Sequence, residues 1–298
     1  MSLRGWALFA LLSVAWGIPY LLIKVAVAEL PVPVLVFGRV AAGAALLLPL
    51  AIHGGRLKEL RGHAAPLAAF ATLEFIIPWG LLSHAEIRIS SSMAGLLMAS
   101  IPILALLMAR LAGDRERLGK RRLAGLLAGF AGVAALVRPQ AGGDLLALLE
   151  VLLAAVCYAG GALVAARRLG GLPALPMTTV CLAIAAVVYL PPAVAAWPET
   201  LPSSRALVAM GVLALFCTAL AFVCFFALIR EVGMSRAVVI TYVNPAVAVA
   251  GGVLLLSEPL TPAIVGAFVL ILGGSFLATS ASGDRPAPSQ TSSARHAA

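Results

Sequence analysis

Residues 92–102 read SMAGLLMASIP, and residues 235–245 read SRAVVITYVNP. Ser92 and Ala94 precede Pro102 as Ser235 and Ala237 precede Pro245, at a constant offset of 143. Past each proline comes a glutamate with a leucine two residues on, Glu116-Arg117-Leu118 and Glu258-Pro259-Leu260. Gly125 and Gly132 then match Gly266 and Gly273, seven apart in each copy. One single-residue indel reconciles the alignment, so the chain reads as an internal duplication.

Composition says what kind of unit is duplicated. The 298 residues are 62% hydrophobic and only 11% charged, against about 45–50% and about 25% in soluble domains. A soluble enzyme of this size would lack the polar residues to cover its surface. Disordered chains are excluded by the same hydrophobicity, and the four cysteines make no disulfide framework. A transmembrane helix needs about 20 apolar residues. Breaks in the apolar pattern give ten such stretches, 5–24, 31–52, 66–84, 89–110, 121–138, 144–166, 173–196, 205–228, 235–256 and 261–280.

The expected fold class is therefore an all-α membrane protein of ten transmembrane helices, arranged as two five-helix repeats, 1–140 and 141–281. A Ser-, Pro- and Ala-rich stretch, 282–298, reads as a disordered cytoplasmic tail. Five is odd, so the second copy enters the membrane from the opposite side. An inverted-topology pair can form two mirror-related states of similar energy, open to one side or the other, with the solute held near the midplane at the repeat interface.

The net charge of +9 looks like a nucleic-acid signal until the basic residues are placed. With the N-terminus inside, Arg4, Arg56, Lys58, Arg61, Arg110, Arg115, Arg117, Lys120, Arg121 and Arg122 fall on the cytoplasmic side. Arg167, Arg168, Arg230, Arg236, Arg285 and Arg295 join them, leaving only Lys24, Arg88, Arg138 and Arg205 outside and Arg39 within a span. Short cytoplasmic loops carry this excess. The sequence thus predicts a multi-pass protein of the plasma or inner membrane with both termini cytoplasmic, and the charge indicates no nucleic-acid partner. Ala26-Val27-Ala28 has the form of a signal-peptidase site, but the apolar stretch before it is too long and carries Trp16, Pro19 and Tyr20.

Charges inside a bilayer are rarely idle, because each costs at least about 2.5–3.5 kcal/mol. Three stand out: Arg39 in the second span, Glu74 mid-way along the third and Glu150 early in the sixth. Arg39 and Glu74 are natural partners, either as a structural ion pair or with Glu74 as a protonatable coupling site where protons and solute compete. Glu150 is near enough to a span end to snorkel outward. Helical spacing then selects neighbours for a solute-lining surface. Ser13, Trp16 and Tyr20 share a stripe of the first span, Ser91, Met98 and Pro102 one of the fourth, and Thr241, Asn244 and Pro245 one of the ninth. Tyr158 lies beside Glu150 and Cys157 on the sixth. Pro102 and Pro245 are the expected helix kinks, and Pro245 frees the carbonyl of Thr241. Gly125-x-x-x-Gly129 and Gly266 with Gly273-Gly274 suit close helix packing, between the halves or between protomers. Monomer and homodimer both stay open.

These residues resemble the drug/metabolite transporter superfamily, in its EamA-type ten-helix branch. The resemblance covers 5–280 and rests on Trp16-Gly17, Arg39, the Ala-rich fourth span with Pro102, the two Glu-x-Leu motifs and the Gly-rich fifth and tenth spans. It implies a cavity lined by spans 1, 3, 4, 6, 8 and 9, with 5 and 10 packed outside. It also implies export or exchange of small metabolites, such as an amino acid or a related compound. Cys157-Tyr158 stands where the family usually has a Trp, and Tyr158 fills that aromatic role.

Other chemistries lack their residues. Gly113-x5-Gly119-Lys120-Arg121 is one residue too long for a phosphate loop and has no Ser/Thr after the Lys. No metal spacing and no cofactor motif is present. His84-x-Glu86 falls at a span end and reads as a solvated loop. An intramembrane enzyme acting on a lipid-linked substrate, with Glu74 as base, is the alternative to a transporter. It needs a second catalytic group at similar depth, for which only Glu150 and tyrosines are on offer. The bulky Trp16 and Tyr20 disfavour a passive channel.

Overall fold

In lipid every backbone N–H and C=O must be satisfied within the chain, and apolar runs of this length can do so only as helices. The computed structural model describes residues 2–113, 120–137, 144–233, 237 and 239–279, and among them no residue is in a strand. Seven helical stretches are long and apolar enough to cross a membrane: Leu3–Ala26, Val32–His53, Ala64–Ala85, Ser91–Leu111, Leu145–Leu169, Ala174–Ala195 and Ser204–Val232. Three shorter apolar helices, Leu123–Leu136, Ile240–Leu256 and Pro262–Leu277, accompany them.

Several of these stretches are interrupted where prolines or polar residues stand. The first is α1 (Leu3–Gly17) and α2 (Pro19–Ala26), divided before Pro19, and α3 (Val32–His53) follows unbroken. The third is α4 (Ala64–Ala71), a π turn over Thr72–Ile76, and α5 (Ile77–Ala85) with Pro78 in its first turn. The fourth divides at Ala99-Ser100 into α6 (Ser91–Met98) and α7 (Ile101–Leu111), so Pro102 stands at a helix start, where its missing N–H costs little. The carbonyl of Ala99, buried at this break, accepts from the Ser275 hydroxyl at 2.9 Å.

The second part has its own set of helices. After α8 (Lys120–Val137) come α9 (Leu145–Val164) with a π turn over Ala165–Leu169, and α10 (Ala174–Ala195). Then follow α11 (Ser204–Ala214), a π turn over Leu215–Leu220, α12 (Ala221–Val232), α13 (Ile240–Leu256) and α14 (Pro262–Thr279). The helix α13 runs on through Pro245 without a break.

Packing pairs early helices with late ones. α3 lies along α10, α8 along α14 and α6 against α13; α5 and α7 pack on α9, while α1 and α2 pack on α12 and α11. The α8–α14 seam is closed by glycines: a Cβ on Gly274 would come within 2.5 Å of the Gly129 nitrogen and 2.6 Å of the Gly125 carbonyl oxygen. The fifth- and tenth-span glycines thus meet each other within one chain.

Hydrogen bonds mark the two ends of the bundle. At one end Ser2 Oγ donates to Glu231 at 2.5 Å and Arg167 Nη2 to the Ala112 carbonyl at 2.9 Å. At the other Lys24, Glu29, Glu86, Arg88, Asp144, Glu150, Ser203 and Glu258 bond among the helix ends. The residues Arg115, Glu116, Arg117, Leu118, Gly119, Arg138, Ser235 and Arg236, the tail 282–298 and the Arg122 side chain lie outside the described residues.

Candidate functional site

Arg39 is the natural starting point, since a guanidinium in an apolar helix must find partners in the protein. It is 8% exposed. Its Nε donates to Thr218 Oγ1 at 3.0 Å, and its Cζ lies 3.5 Å from the centroid of the Trp79 ring. The Trp79 Nε1–H in turn donates to the Tyr158 hydroxyl at 2.9 Å. Four side chains from four spans thus converge on one buried polar centre. The expected Arg39–Glu74 ion pair is not made here: register places Arg39 beneath Trp79 and beside Thr218 instead.

Two π turns build this centre. A π turn inserts one extra residue and re-phases the helix that follows. The turn over Thr72–Ile76 holds Glu74 and leads into the turn of α5 that presents Trp79. The turn over Leu215–Leu220 holds Thr218, whose hydroxyl donates to the Leu213 carbonyl at 2.8 Å while accepting from Arg39. They begin at 72 and 215, separated by the same 143 residues as the sequence repeat. Tyr189 of α10 covers the first of them, its hydroxyl donating to the Ile76 carbonyl at 2.7 Å.

Glu74 lies against α9, where a Cβ on Gly161 would sit 2.9 Å from its Oε2. It makes no ion pair among the described residues. Trp16 reaches the same region through rings: it meets Phe222 at 5.7 Å and Phe225 at 4.8 Å, Phe222 meets Phe75 at 6.0 Å, and Phe75 meets Trp79 at 5.3 Å. Tyr20 packs against Gly95, where a larger residue would displace its ring. Among the described residues Asn244 keeps a buried side-chain oxygen with no hydrogen-bond partner.

The other expected residues divide. Ser13 is buried but donates to the Phe9 carbonyl of its own helix at 2.9 Å. Met98 is buried in an apolar cluster edged by Tyr20 and Tyr158. Thr241 lies part-buried one turn before Pro245 in α13. Ser91 and Glu150 lie at the bundle end that carries Lys24. Glu150 bonds His84 Nδ1 at 2.8 Å and Arg88 Nη2 at 2.6 Å, and Arg88 also reaches Asp144 at 3.0 Å. It has found the Arg88 cation and a histidine at the span end, as snorkelling requires. His84 and Glu86 correct the solvated-loop expectation: His84 is half exposed, but Glu86 is fully buried.

Sequence reasoning missed Trp79, Thr218 and the role of Glu258. Glu258 accepts from Ser91 N at 2.7 Å, Ser91 Oγ at 2.9 Å and Ser92 N at 3.0 Å, and from the Ser92 hydroxyl. It thereby caps the start of α6 from the far side of the sequence. Burial alone would raise its carboxyl, but these four donors hold it below the usual carboxylate range. Glu29 takes Ser203 N and Oγ, each at 2.6 Å. Between these two clamps Lys24, Glu29, Arg205 and Glu258 line a cavity of about 310 Å³. A larger groove of about 380 Å³ beside α13 and α14 is lined by apolar residues alone.

Comparison with known proteins bears directly on this arrangement. The model of the EamA-like transporter family matches the chain twice, over residues 3–138 and 145–280. The bonds Arg39–Thr218 and Trp79–Tyr158 therefore both run from the first matched stretch to the second. Proteins named "Uncharacterized inner membrane transporter YedA" from Escherichia coli strains K12 and O157:H7 are 31% identical over 289 residues, covering 91% of each chain. A solved crystal structure 21% identical in sequence has the same fold, with a TM-score of 0.65 over 94% of this chain and 96% of the other.

Proposed function

The chain belongs to the EamA-like transporter family, a multi-pass protein of the inner membrane, and from that premise we propose that it is a secondary active transporter working by alternating access. The observation that carries this reading is the position of the polar centre. Arg39, Trp79 and Thr218 are buried with Tyr158 part-buried beside them, and both bonds among them cross between the two matched stretches. Rocking one stretch against the other would open and close that centre.

The packing supports an inverted pair of five-helix halves. Exchanging each early span for its later counterpart maps α3–α10, α8–α14 and α6–α13 onto themselves. It also maps α5 on α9 onto the contact of the eighth span, α11 to α12, with α1 and α2. The two π turns at an offset of 143 obey the same exchange. The side bearing Arg4, Arg56, Lys58, Arg61, Arg110 and Arg167 is then cytoplasmic, and the side bearing Lys24 and Glu258 faces outward.

The solute we assign is a small metabolite with a carboxylate and an apolar or planar part, an amino acid being the simplest case. Arg39 spends one of five N–H donors on Thr218, which leaves a fork for a carboxylate. Trp79, Phe75 and Trp16 offer ring faces. Glu74 is the coupling carboxylate and protons are the coupling ion. The enzyme alternative asks for a second catalytic group beside Glu74, and Glu150 is already held by His84 and Arg88 at the span end.

Purified protein in vesicles, preloaded with a panel of amino acids and related metabolites and exposed to a pH gradient, tests the reading. Saturable exchange of at least one solute, lost in Arg39→Ala and uncoupled from pH in Glu74→Gln, is the expected result. No exchange across the panel would count against transport. Exchange whose pH dependence survives Glu74→Gln would remove that residue from the coupling.

A further inference from the structure

Glu86 is the most unusual charge in the molecule. It has no exposed surface, and among the described residues neither side-chain oxygen has a hydrogen-bond partner. A buried carboxylate in that condition would carry an unsolvated negative charge, which proteins avoid by neutralising the group. Its place makes ionisation worse. Glu86 is the C-terminal cap of α5, where the helix dipole already presents partial negative charge.

The groups around it are few. Lys24 of α2 spends its ammonium on backbone, donating to the Glu86 carbonyl at 2.6 Å and the Ile89 carbonyl at 2.9 Å, and makes no ion pair with the carboxyl. Glu258 faces it from beyond α13, Arg39 from α3 and Tyr20 from α2. On its own segment His84 and Arg88 turn to Glu150 and Asp144. Burial holds the Glu86 carboxyl well above the usual carboxylate range, with Lys24 pulling it down and Glu258 pushing it up.

We propose that Glu86 is a proton-binding site of the bundle end that carries Lys24: its carboxyl is protonated while that end is shut, and gives its proton to the outer water when the end opens. Once ionised and wetted, the carboxylate has Lys24 as its counter-ion, and Lys24 can reach it by leaving the carbonyls of Glu86 and Ile89. Protonation thus favours the packed end, and ionisation favours the open one. The opening step rests on the alternating-access reading; the proton site itself does not.

Infrared difference spectra of the full chain in lipid vesicles, titrated with acid and base in water and in D2O, test the site without any solute. The expected result is a protonated-carboxyl band at neutral pH that disappears only in alkali. It should be retained in Glu74→Gln, which removes the part-buried coupling carboxyl, and lost when Glu86→Gln is added to that variant. Lys24→Met should raise its midpoint by about one pH unit or more, and Glu258→Gln should lower it. No such band in Glu74→Gln at neutral pH, or the same band in the folded Glu74→Gln/Glu86→Gln double variant, overturns the proposal. Should the double variant fail to fold, unmoved midpoints in both Lys24→Met and Glu258→Gln would also overturn it. Failure here leaves solute exchange untouched, and failure of solute exchange leaves this site standing.

Discussion

At the scale of single residues, Arg39 shows how an apolar interior accommodates a permanent cation. Among the described residues it receives one hydroxyl oxygen and one indole face, and no carboxylate. A hydrogen bond to a charged group contributes about 1.5–3 kcal/mol, and a desolvated cation over an aromatic face about 2 kcal/mol or more. Thr218→Val keeps the volume and removes the acceptor, so it should destabilise by about 1.5–3 kcal/mol, read as a lower midpoint of thermal unfolding in detergent. Trp79→Leu removes the face and the donor to Tyr158 together and should cost more. If Thr218→Val melts like the wild type, Arg39 has another acceptor and the centre is misdescribed.

Glu258 and Glu86 give that end of the bundle opposite responses to acid. Glu258 is held below its usual 4.5 by the amides and hydroxyls of Ser91 and Ser92. A depressed group contributes stability above its unfolded value and loses it as pH falls through its folded value. Its clamp on α6 is therefore intact at neutral pH and released only below 4.5. After correction for the intrinsic rate, the hydrogen-exchange protection of the 90–95 amides should fall in acid in the wild type. In Glu258→Gln it should already be low at neutral pH, with little further response.

At the scale of helices, glycine positions separate seams from surfaces. Gly274 touches backbone of Gly125 and Gly129, which cannot step aside, whereas nothing lies within 4 Å of a Cβ on Gly266 or Gly273. Gly274→Val should destabilise by about 1–3 kcal/mol through overpacking, and Gly266→Ala should be close to neutral. Equal effects would mean that the α8–α14 seam is not the contact that holds these spans.

Span positions were legible in the sequence: the stretches 31–52 and 173–196 correspond to Val32–His53 and Ala174–Ala195. The π turns were not, because a π turn needs one locally misdirected carbonyl, and no residue type announces it. Nor was the partner of Arg39. A helix apolar all round carries no polar stripe to say which way it faces, so Trp79 and Thr218 looked like ordinary span residues, and charge alone pointed to Glu74. The end-clamp was half legible. The glutamate in Glu258-Pro259-Leu260 stood out as a repeat marker, but its four donors come from residues 166 and 167 positions away, a distance only the fold can supply.

At the scale of the whole molecule, the proposed orientation puts the clamped end of the bundle on the outside, and labelling tests it. Cys157, Cys181 and Cys217 are buried and Cys224 is part-buried, so introduced cysteines can report topology over a low background. Glu199→Cys, between α10 and α11, should react with a membrane-impermeant maleimide in intact cells. Lys58→Cys, between α3 and α4, should react only after permeabilisation. The reverse pattern would invert the molecule and make the Glu258 clamp a cytoplasmic gate, with Glu86 releasing its proton to the cytoplasm. With the expected pattern, a third variant tests the shut state itself. Val25→Cys, lining the cavity between Lys24 and Glu258, should label slowly in an otherwise unchanged chain and faster when Glu258→Gln is added, because removing the acceptor charge frees the start of α6. A labelling rate indifferent to Glu258→Gln would show that the four-donor clamp does not hold this end closed.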